Sequence, residues 1–136
     1  MAHVFLDTSF FVAYLRPRDL HHASAVDRLR QHLEAGDILV TSQFVLMESG
    51  GGLNTQGLRT VFVQFVHELM DSTCFIIVGA SELLFTQAWS LFASRPDKEW
   101  SMVDCSSFVI MDEKGITDAV TADRHFTQKG YRILLT

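Results

Sequence analysis

Cysteine is scarce in this chain. Cys74 and Cys105 are the only two, without metal-ligand spacing and with no paired framework. That excludes a disulfide-stapled scaffold, and the expected setting is reduced and cytoplasmic, with both thiols buried and unreactive. Long apolar runs are missing too: none approaches the roughly 18 residues that span a bilayer. Val4 to Leu15 is apolar but is broken by Asp7 and lacks a basic lead-in, so it reads as a poor signal peptide. Positive charge is also short, with 11 Lys and Arg against 16 Asp and Glu, for a net charge of −5. A field of that sign repels nucleic acid, which argues against a plain DNA- or RNA-binding module. It does not argue against a nuclease that holds a polyanion through metal and a local basic patch. There is no glycine-rich phosphate loop, so nucleotide hydrolysis has no support. Repeats and low-complexity segments are absent, and the adjacent His21 and His22 read as a solvated pair rather than a zinc site.

What remains is the make-up of a compact globular chain. With 136 residues, 48% apolar and 20% charged, the sequence predicts one domain with a substantial core. Short apolar runs alternate with helical patterns. Val4–Leu6, Ile38–Val40, Phe75–Val78, Ala119–Thr121 and Arg132–Leu135 read as strands. Between them, Phe10–Leu15, His22–Ala35, a segment from Ser42 past Glu48, Leu58–Met70, Ser81–Ala93, Met102–Lys114 and Asp123–Lys129 read as helices. Pro17, Gly36, Gly115 and Gly130 supply stops. Gly50-Gly51-Gly52 is expected to interrupt the helix carrying Glu48, since glycine costs about 1 kcal/mol per helical position relative to alanine. Leu58–Met70 is expected to bury Val61, Phe62, Phe65, Val66, Leu69 and Met70, and Ser81–Ala93 to turn Leu84, Ala88, Leu91 and Phe92 inward. Strands apolar on both faces and separated by helices predict an α/β fold, a three-layer αβα sandwich around a five-stranded parallel sheet.

Within that pattern four carboxylates stand out. Asp7 ends the first strand and Asp123 ends the fourth, while Glu48 and Asp104 interrupt otherwise apolar helical stretches. In a doubly wound sheet, ligands sit beyond the carboxyl ends of the strands where the winding reverses. A flavodoxin-like order makes the first and fourth strands neighbours at that point. Each acid also has a local explanation: Asp7 and Asp123 as turn or N-cap residues, Asp104 as part of a Ser101-to-Asp104 capping box, and Glu48 as a solvated helix residue. These roles are compatible with a shared site, because each carboxylate carries two oxygens. Four converging carboxylates repel one another unless a cation intervenes, and oxygen-only ligation points to Mg2+ or Mn2+. Such an ion can hold phosphate and acidify bound water.

The blocks Phe5-Leu6-Asp7-Thr8-Ser9, Val45-Leu46-Met47-Glu48, Ser101-Met102-Val103-Asp104-Cys105-Ser106-Ser107-Phe108 and Thr121-Ala122-Asp123-Arg124-His125-Phe126, in that order, resemble a PIN domain of the VapC toxin type. The resemblance runs from Val4 to Leu135. It implies sheet order 3-2-1-4-5 and a Mg2+- or Mn2+-dependent endoribonuclease whose catalytic and metal-binding acids are Asp7, Glu48, Asp104 and Asp123. It also implies cleavage to a 5′-phosphate and a 3′-hydroxyl, a homodimer, and a cognate antitoxin covering the acidic groove. The chain departs from the family at Ser49-Gly50-Gly51-Gly52, where larger helical residues are usual.

Around the acids, Thr8 and Ser9 are expected to hydrogen-bond Asp7 or a metal-bound water, Ser101 to cap its helix, and Thr121 to face the site. Arg124 and His125 lie where an RNA backbone could run. Val63 or Phe62, on a helix apolar all round, is expected at a subunit or antitoxin interface. Competing readings fit less well. A haloacid-type phosphatase wants a second aspartate where Ser9 stands, and a phosphoacceptor receiver wants one where Val78-Gly79 stands. The alternative that survives is a non-catalytic PIN-fold binding module.

Overall fold

A computed structural model describes residues 2–136. Its core is a five-stranded, all-parallel sheet of β1 (His3–Leu6), β2 (Ile38–Ser42), β3 (Phe75–Val78), β4 (Asp118–Val120) and β5 (Arg132–Ile133). The strand order is β3-β2-β1-β4-β5, so the winding reverses between β1 and β4. Phe5 pairs with Ala119 and Leu6 with Val120 across that boundary. Val4, Phe5, Leu6, Leu39, Val40, Ala119 and Val120 are all buried, as strands covered on both faces require.

Seven helices complete the sandwich: α1 (Thr8–Leu15), α2 (His22–Ala35), α3 (Gln43–Gly52), α4 (Leu58–Met70), α5 (Glu82–Ser94), α6 (Met102–Lys114) and α7 (Arg124–Lys129). Local chemistry sets many of their ends. Ser42 caps α3 by accepting from the Val45 N–H, and Gly36 closes α2 at φ 70°, a left-handed geometry that disfavours any side chain. Two aromatic groups fill the core. Phe10 packs against Phe11, Tyr14 and Phe65, joining α1 to α4, while Phe108 packs against Trp100, Phe126 and Tyr131.

Several local expectations give way to tertiary contacts. The three glycines do not interrupt α3, which continues through Gly52. Ser49 bonds the Val45 carbonyl at 2.7 Å, and Arg16 Nη2 donates to the Gly52 carbonyl at 2.7 Å, satisfying an acceptor the helix end would otherwise leave open. A Cβ at Gly52 would touch Val12, so that position is packed, whereas one at Gly51 would meet nothing within 4 Å. Gly51→Ala is therefore expected to stabilise the protein by about 0.5–1 kcal/mol, measured by chemical denaturation.

α1 starts at Thr8, two residues before the expected start. On α4, Val61 and Met70 are exposed, and so is Phe92 on α5. Each helix buries only a narrow stripe (Phe65, Val66 and Leu69 on α4; Leu84 and Ala88 on α5), so apolar residues outside it face outward. Nor are His21 and His22 solvated. Both are half-buried, and His22 Nδ1 donates to the Ala13 carbonyl at 2.8 Å, fastening α2 to α1. Cys105 is buried and its thiol is pushed up to about 11, mainly by desolvation, while Cys74 is half-buried. No helix among the described residues is long and apolar enough to cross a membrane.

Candidate active site

Asp7 follows β1 directly and Asp123 lies three residues past the end of β4, so parallel pairing brings both to one edge of the sheet. Asp7 occupies the N-cap position of α1, yet its side chain makes no capping bond. It turns instead toward β4, where Thr121 Oγ1 donates to Asp7 Oδ2 at 2.8 Å. Only 4% of Asp7 is exposed, and its carboxyl is pushed up to about 7. Burial is the main cause, and the nearby negative charges of Asp104 and Glu48 add to it, against bonds from Thr121 and the Thr8 backbone.

Thr121 is the centre of this arrangement. With Asp7 ionised, the one Thr121 hydroxyl hydrogen goes to the carboxylate, so Ser9 Oγ donates to Thr121 Oγ1 across 2.8 Å. The Ala122 N–H donates to Ser9 Oγ at 3.0 Å, and the Asp123 N–H to Thr121 Oγ1 at 3.1 Å. The result is a polarised chain of donors ending on Asp7. Ser9 therefore reaches Asp7 through Thr121 rather than directly. The Thr8 hydroxyl does not bond Asp7 either: it donates to Glu48 Oε1 at 2.6 Å. Glu48 is exposed on α3, and this bond orients an otherwise free side chain toward the site.

Asp104 is buried at the N-terminal turn of α6. It completes a capping box with Ser101, accepting the Ser101 N–H on Oδ2 at 3.0 Å, while the Asp104 N–H donates to Ser101 Oγ at 2.9 Å. Despite these bonds its carboxyl is shifted upward, chiefly by desolvation and then by the charge of Asp123. Asp123 is the N-cap of α7, accepting the His125 N–H on Oδ1 at 2.9 Å. The charges of the four acids thus act on one another in series, Glu48 and Asp104 on Asp7 and Asp123 on Asp104. The capping roles and the shared site coexist. Asp104 Oδ1, Asp123 Oδ2 and Glu48 Oε2 have no hydrogen-bond partner among the described residues.

His125 turns one ring nitrogen into the acidic site. Its Nδ1 lies 3.0 Å from Asp104 Oδ2 and 3.3 Å from Asp123 Oδ1, inside the acidic cluster. Its position two residues after an N-cap aspartate was the available hint; the contact with Asp104, 21 residues away, had none. Arg124 is exposed at the first position of α7. No lysine or arginine pairs with any of the four acids among the described residues.

A donor atom from each of Asp104, Asp123 and His125 lies within 4.8 Å of the other two, a grouping able to hold a metal ion. Buried carboxylates pushed above their ordinary range, with no lysine or arginine to neutralise them, are an environment that a hard divalent cation fits.

Known proteins share this fold. The chain is 31% identical to the 23S rRNA-specific endonuclease VapC20 of Mycobacterium tuberculosis over 129 residues, 94% of this chain and 95% of that protein. The crystal structure of that VapC20, described as a toxin that cleaves the sarcin–ricin loop, superposes with a TM-score of 0.78 at 29% identity, covering 94% of this chain and 95% of the other. VapBC2 from Rickettsia felis, bound to promoter DNA, shares the fold at a TM-score of 0.69 and 13% identity over 96% of each chain. FitAcB from Neisseria gonorrhoeae does so at a TM-score of 0.63 and 18% identity over 96% of each chain. The PIN domain model matches residues 4–130, nearly the whole sheet and the segments bearing all four acids. The chain belongs to the PIN domain family.

Proposed function

We propose that this protein is a metal-dependent endoribonuclease, the toxin of a type II toxin–antitoxin pair, with Asp7, Glu48, Asp104 and Asp123 as the ligands of Mg2+ or Mn2+. The observation that supports the reading is the convergence of four acids at the β1/β4 switch point with no lysine or arginine paired to any of them among the described residues. When bound, the divalent ion supplies Lewis-acid polarisation of a phosphate oxygen and acidification of water. The chain's own residues do the rest. Thr121 and Thr8 hold Asp7 and Glu48 in place, and the capping box fixes Asp104. Exposed Glu48 is the acid of the four that solvent reaches most freely. The specificity in the name of the mycobacterial relatives makes 23S ribosomal RNA the first substrate to test.

The antitoxin and homodimer readings rest on apolar side chains left exposed: Val61, Val63 and Met70 on α4, and Leu83, Phe85, Trp89 and Phe92 on α5. Of the two α4 candidates, Val63 faces outward, whereas Phe62 is half-buried against Phe11 at 6.0 Å between ring centres.

Calorimetric titration with Mn2+, run beside an RNA cleavage assay, tests the central claim. The wild type is expected to bind Mn2+ and to cleave RNA only without chelator. Asp104→Asn is expected to lose roughly 10- to 100-fold in metal affinity and most cleavage. A protein that binds no Mn2+ near millimolar concentration, or that cleaves in excess EDTA, would sink the mechanism. The first outcome would favour the non-catalytic binding module.

A further inference from the structure

We infer that His125 is itself a metal ligand, through Nδ1, and that this imidazole sets the site's preference for Mn2+ over Mg2+. The inference rests on the metal-dependent reading above and deepens it. Nδ1 is turned inward, 3.0 Å from Asp104 Oδ2 and 3.3 Å from Asp123 Oδ1. The ring is held from the backbone as well, since the His125 N–H is committed to Asp123 Oδ1 at 2.9 Å.

The spacing fits a shared ion. Ligand atoms bound at roughly 2.1 Å lie about 3–4 Å from one another. One ligand atom from each of the three side chains lies within 4.8 Å of the others, so side-chain movements on the order of an ångström bring them onto one centre. Without a cation, Nδ1 carries the hydrogen, because both of its neighbours are acceptors. With a cation at Nδ1, the neutral ring carries its hydrogen on Nε2, and the 29% exposure of the side chain leaves the ring in reach of water.

A nitrogen donor changes which ion the site prefers. Mg2+ keeps its waters and favours oxygen ligands, whereas transition-series ions accept imidazole readily. Mn2+, the member of that series closest to Mg2+ in its liking for carboxylates, suits a set of carboxylates and one imidazole. Replacing His125 by aspartate would make the set all-oxygen and remove the discrimination.

Pulsed electron paramagnetic resonance on the Mn2+-loaded protein reads the ligand directly, because a bound imidazole couples its nitrogen to the electron spin. The wild type is expected to show nitrogen modulation. His125→Asp is expected to bind Mn2+ without it, and its Mn2+-to-Mg2+ affinity ratio, measured by competition, is expected to fall roughly tenfold. Circular dichroism checks that the variant is folded. Nitrogen coupling absent from Mn2+-loaded wild type, or an unchanged ratio in His125→Asp, would overturn the inference and leave the ribonuclease reading standing. Failure of the wild type to bind Mn2+ at all would overturn both.

Discussion

Asp7→Asn is expected to abolish RNA cleavage and, at pH 8 without metal, to make the protein more stable. Both effects come from one carboxylate held in the wrong medium. Asp7 is buried, and its carboxyl is raised from 3.8 to about 7. Below about pH 3.8 the group is protonated in the folded and unfolded chain alike, and the favourable neutral form is fully present. As pH rises through about 7, the unfolded chain releases its proton first, so the folded state loses stability across that window. A shift of this size corresponds to a ceiling on the order of 4 kcal/mol. Asparagine is neutral at every pH and can still accept from Thr121.

Thermal melts in EDTA should therefore show Asp7→Asn several degrees above wild type at pH 8 and close to it near pH 4. Adding Mn2+ should raise the wild-type transition and leave that of the variant nearly unmoved. A variant less stable than wild type at both pH values would show that the carboxylate is a structural anchor, and the strained-site account would fall.

Thr121→Val is the second large effect. Valine has nearly the shape of threonine, so packing around this fully buried position should survive. What disappears is the donor to Asp7 Oδ2 and the acceptor for the Asp123 N–H. Changes of this kind behind a metal ligand commonly cost 10- to 100-fold in affinity or activity. The Thr121 bond holds the Asp7 carboxyl down, so its loss should also move the cleavage pH profile to higher pH. Ser9→Ala, one bond further back, should show the same direction at smaller size. A Thr121→Val enzyme with wild-type rate and an unmoved profile would mean that the donor chain is incidental.

Much of this protein is legible without coordinates, for a physical reason. Strands buried on both faces must be apolar throughout, so β1, β2 and β4 announce themselves as short apolar runs, and the edge strand β3 does so although it is only half-buried. Helix ends whose orphan groups need satisfying call for Ser42, the Ser101–Asp104 box, Gly36 and Gly115, all within four residues of the bonds they make. The four acids are visible by contrast with those runs, and the parallel-sheet rule places two of them at one edge.

What only the tertiary structure decided involves partners far apart in the chain. Thr121 finds Asp7 across 114 residues, Thr8 finds Glu48 across 40, and His125 turns into the cluster toward Asp104. α3 runs through its glycines because Arg16 and Val12 meet it from α1 and the turn that follows, contacts that no helix propensity contains. Short-range patterns determined which elements form and where the charges stand along them. Folding decided which oxygen each hydroxyl serves, because a hydrogen bond is settled over tenths of an ångström that sequence spacing does not encode.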